Sequence, residues 1–180
     1  GSRDAVDQAL SRLTREQTVR RLARGLYWYP RRNRRLGIDL SPDPDQIANA
    51  LARRTRTKVA PSGAVAANRL GLSTQVPSRP VYLTNGRSRE IQVGDQVFVL
   101  RHVPAKSFPA GNPLSTAVIQ ALKYLGPDAV DDTVINKLRR RLNTKQKKQF
   151  LSDARYATDW IATVARKVAA DTKRQVSVDG

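Results

Sequence analysis

The 180-residue chain contains no cysteine, one histidine and only 15 acidic residues against 33 Lys and Arg. Without cysteine it has no disulfide, no thiolate nucleophile and no cysteine-ligated zinc. A reducing compartment suits this composition but is not required by it. The lone His102 excludes a histidine-pair metal site, and no nearby partner suits it to general-base work. No apolar run approaches the roughly 18 residues of a membrane span, and no segment reads as a signal peptide. There is no glycine-rich phosphate loop, no nucleotidyltransferase-type carboxylate cluster, no internal repeat and no low-complexity tract.

What the chain has is positive charge. The formal net charge is +18 and the pI is near 11.3. Such a balance favours a polyanionic partner: nucleic acid, an acidic protein or an anionic surface. The excess is spread evenly. Residues 1–41 hold 10 basic and 4 acidic residues, 42–113 hold 10 and 4, and 114–180 hold 13 and 7. Each third is therefore +6, and charge alone does not locate the contact. Hydrophobic residues make up 39%, enough to bury a core.

Ser2 suits an N-cap, and Val6, Ala9, Leu10 and Leu13 then recur at helical spacing. Residues 18–23 and 26–29 read as two strands around an Arg24-Gly25 turn, ended by Pro30. Residues 31–45, RRNRRLGIDLSPDPD, read as a linker. Asp43 or Asp45 caps a helix that buries Ile47, Ala48, Leu51 and Ala52. Lys58-Val59 suggests a short strand, and Ser62 opens a helix that stops at Gly71. Strands follow at 80–84, 90–93 and 96–103. Asn85-Gly86 signals a turn, and Gly94-Asp95 joins the last two strands as a hairpin. From Leu114 the pattern is helical. A helix over 115–125, with Ser115 and Thr116 as caps, breaks at Gly126-Pro127. Asp131 or Asp132 caps the next, Thr144 opens another, and the last starts at Thr158.

Two blocks carry a family likeness. SRDAVDQALSRL (2–13) followed by VRRLARGLYWYPR (19–31) resembles the recognition helix and wing of AbiEi-like antitoxins of type IV toxin–antitoxin systems. PSGAVAANRLGLSTQVPSRPVYLTNGRSREIQVG (61–94) resembles the domain that follows in that group. The likeness extends to about Tyr156. It implies an α+β chain: a partial winged helix-turn-helix (recognition helix and β-wing) with its linker over 1–41, then an antitoxin domain over 42–180. That domain is mixed α/β to about 113 and helical from about 114. The resemblance further implies a non-enzymatic bacterial cytoplasmic protein without cofactor or metal. It would counteract a nucleotidyltransferase-like toxin encoded alongside and repress the shared promoter by binding its double-stranded DNA. A homodimer on inverted repeats is a geometric expectation for helix-turn-helix proteins, although a winged helix also binds as a monomer.

The chain departs from that family in two ways. The earlier helices of the winged motif are missing. A lone helix and wing do not close a three-helix core, so Val6, Leu10 and Leu13 are expected to lie partly bare, unless the chain is truncated, only its ordered part is given, or another chain covers that surface. The family also tends to place glycine between helix and wing, where this chain has TREQT (14–18).

On the winged-helix reading, Arg3, Gln8, Ser11 and Arg12 face the major groove. Arg pairs with guanine and Gln with adenine there. Arg15, Arg20, Arg21 and Arg24 contact phosphates, which position without specifying sequence, and Arg24 at the wing tip reaches a minor groove. Arg31, Arg32, Arg34 and Arg35 form a basic run that either touches phosphate or is solvated. Asp4 and Asp7 repel phosphate but suit a helix N-terminus. The competing reading is a solvated helix face. Tyr27, Trp28 and Tyr29 either stack on bases or pack in the wing core, which strand aromatics usually do. Arg139, Arg140, Arg141, Lys145, Lys147 and Lys148 read as a solvated helix junction. The alternatives to an antitoxin are a stand-alone winged-helix regulator and a nuclease built on Glu90 and Asp95.

Overall fold

The computed structural model describes residues 2–40, 42–104, 108 and 111–170. It has mixed α and β structure with small sheets. The chain forms two units, each discontinuous in sequence: Gly1–Val59 with Ser78–Val103, and Ala60–Pro77 with Pro104–Gly180. On sequence alone the chain divides at residue 41; here residues on both sides of that point share the first unit.

The first unit begins with α1 (Arg3–Arg15), whose N-cap Ser2 Oγ accepts from the Ala5 N–H at 3.3 Å. Asp4 in the first turn and Arg12 and Arg15 in the last complement the helix dipole. No α1 residue is buried, and Val6 is 53% exposed. The helix ends in a Schellman motif: the Thr18 N–H donates to the Leu13 carbonyl at 3.0 Å and the Gln17 N–H to the Thr14 carbonyl at 3.1 Å. Gln17 has φ +57°, the left-handed conformation that glycine usually supplies. This is how TREQT turns the chain without glycine.

Strands β1 (Arg20–Ala23) and β2 (Leu26–Trp28) pair antiparallel across Arg24-Gly25. The segment read as a linker instead contains a second hairpin, β3 (Arg32–Asn33) with β4 (Ile38–Asp39). Its turn is made by Asn33, whose Oδ1 accepts from the N–H groups of Arg35 and Leu36 at 3.0 and 3.2 Å. Helix α2 (Pro44–Thr55) is capped by Asp43, which accepts from the Asp45 N–H at 3.0 Å. Asp45 accepts from the Tyr82 hydroxyl at 2.7 Å, so the two carboxylates divide between cap and core.

Strand β5 (Val59–Pro61) leads out of the first unit, and β6 (Val81–Thr84), β7 (Arg89–Val93) and β8 (Gln96–His102) complete its sheet. β6 runs parallel to β8 and β7 antiparallel to it, so β8 lies between them. Asn85-Gly86 therefore starts a crossing over β8 rather than a hairpin between neighbours. The buried side chains include Ile47, Leu51, Phe98 and Leu100, and Phe98 stacks on Tyr82 with ring centroids 6.4 Å apart.

The second unit is helical: α3 (Gly63–Arg69), α4 (Pro113–Leu125), α5 (Asp132–Arg141), α6 (Thr144–Asp153) and α7 (Asp159–Ala169). Leu122, Leu138, Phe150, Ile161 and Val168 share one buried cluster. Asn112 caps α4, Asp131 caps α5, and Asn143 with Gln146 forms a capping box on α6. Ser115 and Thr116 are not caps; both are buried inside α4. The arginine triplet is only partly a solvated junction. Arg139 donates to the Lys167 carbonyl from Nε (3.0 Å) and Nη2 (2.7 Å), and Arg141 Nη2 donates to the Arg69 carbonyl at 2.8 Å. Both serve carbonyls in the last turn of a helix, which lack intrahelical partners. Among the described residues no helix is long and apolar enough to cross a membrane.

Two positions test these backbone arguments. A Cβ on Gly63 would lie 2.4 Å from the Tyr124 Cβ and 2.7 Å from the Gln120 carbonyl oxygen. Neither atom sits at a flexible end, so Gly63→Ala should cost about 1–3 kcal/mol in urea unfolding. Gln17→Gly relieves a left-handed side-chain clash but adds unfolded-state entropy, a net gain of about 0.5–1 kcal/mol. The expected readout is slower hydrogen exchange in the last turn of α1, with no change at α4.

Candidate nucleic-acid interface

At about 100° per residue, α1 sorts into two faces. Val6, Ala9, Leu10 and Leu13 occupy one arc. Ser11, Arg15, Gln8 and Arg12 spread over the opposite half, Arg3 lies about 20° from Leu10 at the edge of the apolar arc, and all five are exposed. Asp4 and Asp7 share that half, nearer the N-terminus. Arg12 Nε lies 3.9 Å from Glu16 Oε1, with the two side chains 72% and 55% exposed. Solvent screening leaves such a pair little strength, so Arg12 is easily drawn to another anion. No acid is paired with Arg3 or Arg15 among the described residues.

The β1–β2 hairpin divides its arginines. On sequence alone Arg20 is a phosphate contact. In the structure its Nη2 donates to Asp39 Oδ2 at 2.7 Å, and its guanidinium carbon sits 5.9 Å from the ring centroid of Trp28, its cross-strand partner. Asp39 is in turn the register partner of Arg32. Arg20 thus ties the first hairpin to the second, a positioning role before any phosphate role. Arg21 is exposed opposite Tyr27. Arg24 is exposed at the turn, and its carbonyl accepts from Nη1 of Arg54 on α2, which holds the hairpin tip.

The second hairpin adds cations that were legible only as a basic run. Arg34 and Arg35 lie exposed in its turn, between the Asn33 side chain and Gly37, which has φ +66°. The signal was in the sequence: asparagine and glycine bracket the tip. Arg31 lines a cleft of about 360 Å³ together with Tyr27, Trp28, Tyr29 and Asp43. None of the three aromatics is a core residue. Tyr27 and Trp28 are half-buried and Tyr29 is 67% exposed, so the cleft has aromatic walls and one cation.

The carboxylates form no comparable cluster. Among the described residues no three His, Asp or Glu gather where they could hold a metal ion. Glu90 pairs with Arg79 at 2.6 Å. His102 Nδ1–H donates to the Gly86 carbonyl at 2.8 Å, which gives the lone histidine a structural bond.

The whole arrangement lies within one family's boundaries. The chain belongs to DUF6088, a family of unknown function matched over residues 1–150. No curated protein and no solved structure matches it. The DUF6088 region includes every cation described above in α1 and the two hairpins, and ends inside α6.

Proposed function

We propose that this chain is a DNA-binding antitoxin and autorepressor, with α1 and the β1–β2 hairpin as recognition helix and wing of a winged helix-turn-helix. One observation carries the DNA half. Helix α1 buries no side chain, exposes its whole hydrogen-bonding face, and runs within a few residues into an arginine-tipped hairpin. Arg3, Gln8, Ser11 and Arg12 would read base edges in a major groove. Arg15, Arg21 and Arg24 would hold the backbone, with Arg20 doing so only as it leaves Asp39. Arg31 would follow from the edge of the aromatic cleft. The antitoxin half is supported by the resemblance of 2–31 and 61–94 to AbiEi-like antitoxins. Its partner would be a nucleotidyltransferase-like toxin, opposed in the bacterial cytoplasm.

Fluorescence anisotropy on the duplex upstream of the gene tests the DNA half. Arg12→Ala should weaken specific binding by about 1–3 kcal/mol and relax specificity, and Arg24→Ala should lower the salt slope by about one. Wild-type behaviour in both variants removes the assigned face. Asp39→Asn frees Arg20 and deletes a carboxylate, so it should tighten binding and raise the salt slope by about one. For the toxin half, co-expression with a neighbouring nucleotidyltransferase-like reading frame should restore growth. If no such frame adjoins the gene, a stand-alone regulator is the better reading.

A further inference from the structure

The first unit holds another cavity, of about 290 Å³, lined by Thr55, Thr57, Thr84, Arg87, Arg89 and Leu100. No acidic side chain lines it. Arg87 and Arg89 therefore both line a space with no countercharge in its wall. Arg89 Nε is fully buried and has no hydrogen-bond partner among the described residues. A buried donor in that state is costly until an acceptor reaches it.

The surroundings are held in place. Arg89 Nη2 donates to Thr55 Oγ1 at 3.3 Å, and Thr55 Oγ1 donates to the Leu51 carbonyl at 3.0 Å, which orients the guanidinium plane. With its one proton given to Leu51, Thr55 Oγ1 accepts from the Thr57 hydroxyl at 2.8 Å, which fixes Thr57 beside the cavity. Thr84 Oγ1 donates to the Lys58 carbonyl at 2.9 Å and accepts from the Gly86 N–H at 3.0 Å. The Gly86 backbone closes so tightly on Thr57 that a Cβ there would lie 2.5 Å from Thr57 Cγ2. The His102–Gly86 bond braces the same loop. Arg87 is exposed on that loop, where an incoming anion meets it first.

We propose that Arg87 and Arg89 form a binding site for a phosphomonoester or inorganic phosphate dianion. Guanidinium forks match phosphate oxygens in geometry as well as charge. Two cations balance a phosphomonoester dianion, whereas a carboxylate would leave one of them uncompensated. The dianion arrives as a terminal phosphate, either on a small molecule or at a nucleic-acid end, and both present the same three oxygens. The site uses no residue of α1 or the hairpins and stands independently of the DNA reading.

Side-chain ¹H–¹⁵N spectra of the intact protein test this directly. The Arg89 Nε–H resonance should move downfield and saturate on titration with inorganic phosphate at constant ionic strength. Chloride should not move it. Arg87→Gln, at an exposed position, should weaken phosphate binding about tenfold. Arg89→Lys keeps the charge but loses the fork, and calorimetry should show no phosphate binding in a variant whose melting confirms that it is folded. Arg12→Ala and Arg24→Ala should leave the phosphate titration unchanged, which separates this site from the helix face. A nucleoside 5′-monophosphate that binds better than phosphate identifies a small-molecule site. A shift caused by a 5′-phosphorylated duplex and not by the same duplex without terminal phosphates identifies a nucleic-acid end, whereas an equal shift with both overturns the dianion site. A non-saturating response to every phosphate probe, an equal response to chloride, or unchanged binding in Arg87→Gln overturns the proposal.

Discussion

The chain has too few carboxylates to neutralise its own arginines and lysines, and this shortage governs where its cations go. An arginine needs five N–H donors satisfied by acceptors or water. Where acids are scarce, backbone carbonyls become the structural acceptors. Arg54 donates to the Arg24 carbonyl, Arg139 to Lys167 and Arg141 to Arg69. The last two of these carbonyls lie in the closing turn of a helix, where the dipole is negative and the backbone acceptors are unused. Among the described residues the ion-paired acids are at the surface: Glu16 with Arg12, Asp39 with Arg20, Glu90 with Arg79. Arg3 and Arg15 on α1 and Arg34 and Arg35 in the β3–β4 turn are exposed, as are cations of the second unit such as Lys123 and Arg140, so it is their arrangement along one helix and its hairpins, and not exposure alone, that the functional reading uses.

Much of this fold was legible because short-range physics fixed it. The Asp131 cap, the Gly126-Pro127 break and the apolar spacing of α7 are local signals that no distant contact overrides. The same holds for β7 and β8, joined at Gly94 by a two-residue turn. What sequence did not show depends on residues far apart. Strand β6 pairs parallel with β8, and the Asn85-Gly86 signal points to a turn without saying which strands flank it. The β3–β4 hairpin has two residues per strand, too few for any alternation to register. In α4 the cap lies at Asn112, upstream of the proline, and the hydroxyls of Ser115 and Thr116 only mimic one.

The two candidate sites differed in legibility for the same reason. The α1 face is periodic, so its residues could be named from spacing alone. The Arg20–Asp39 pair could not be read, because Asp39 belongs to a hairpin that read as linker. The cavity lined by Arg87 and Arg89 had no sequence signature at all. Thr55 and Arg89 lie 34 residues apart and meet only because α2 and the edge strand β7 share a unit. Arg87 and Arg89 read in sequence as one more pair of scattered cations.

The two proposed anion sites would work by different physics. On α1 the guanidinium groups are solvated and their fields are screened over about 8–10 Å at ordinary ionic strength, so counterion release would drive any affinity for a polyanion. Helix α1 is also short, and a 13-residue helix with nothing buried draws little stability from packing. The Ser2 cap and the Schellman closure at Gln17 therefore hold its shape. In the cavity, the Arg89 Nε–H is already out of water and its plane is already fixed by Thr55. Binding there would rest on a guanidinium already oriented in a low-dielectric wall, where screening by salt is weaker. Burial therefore separates two sets of arginines in one unit, and it predicts a steep salt dependence for an anion held on α1 and a shallow one for an anion held in the cavity.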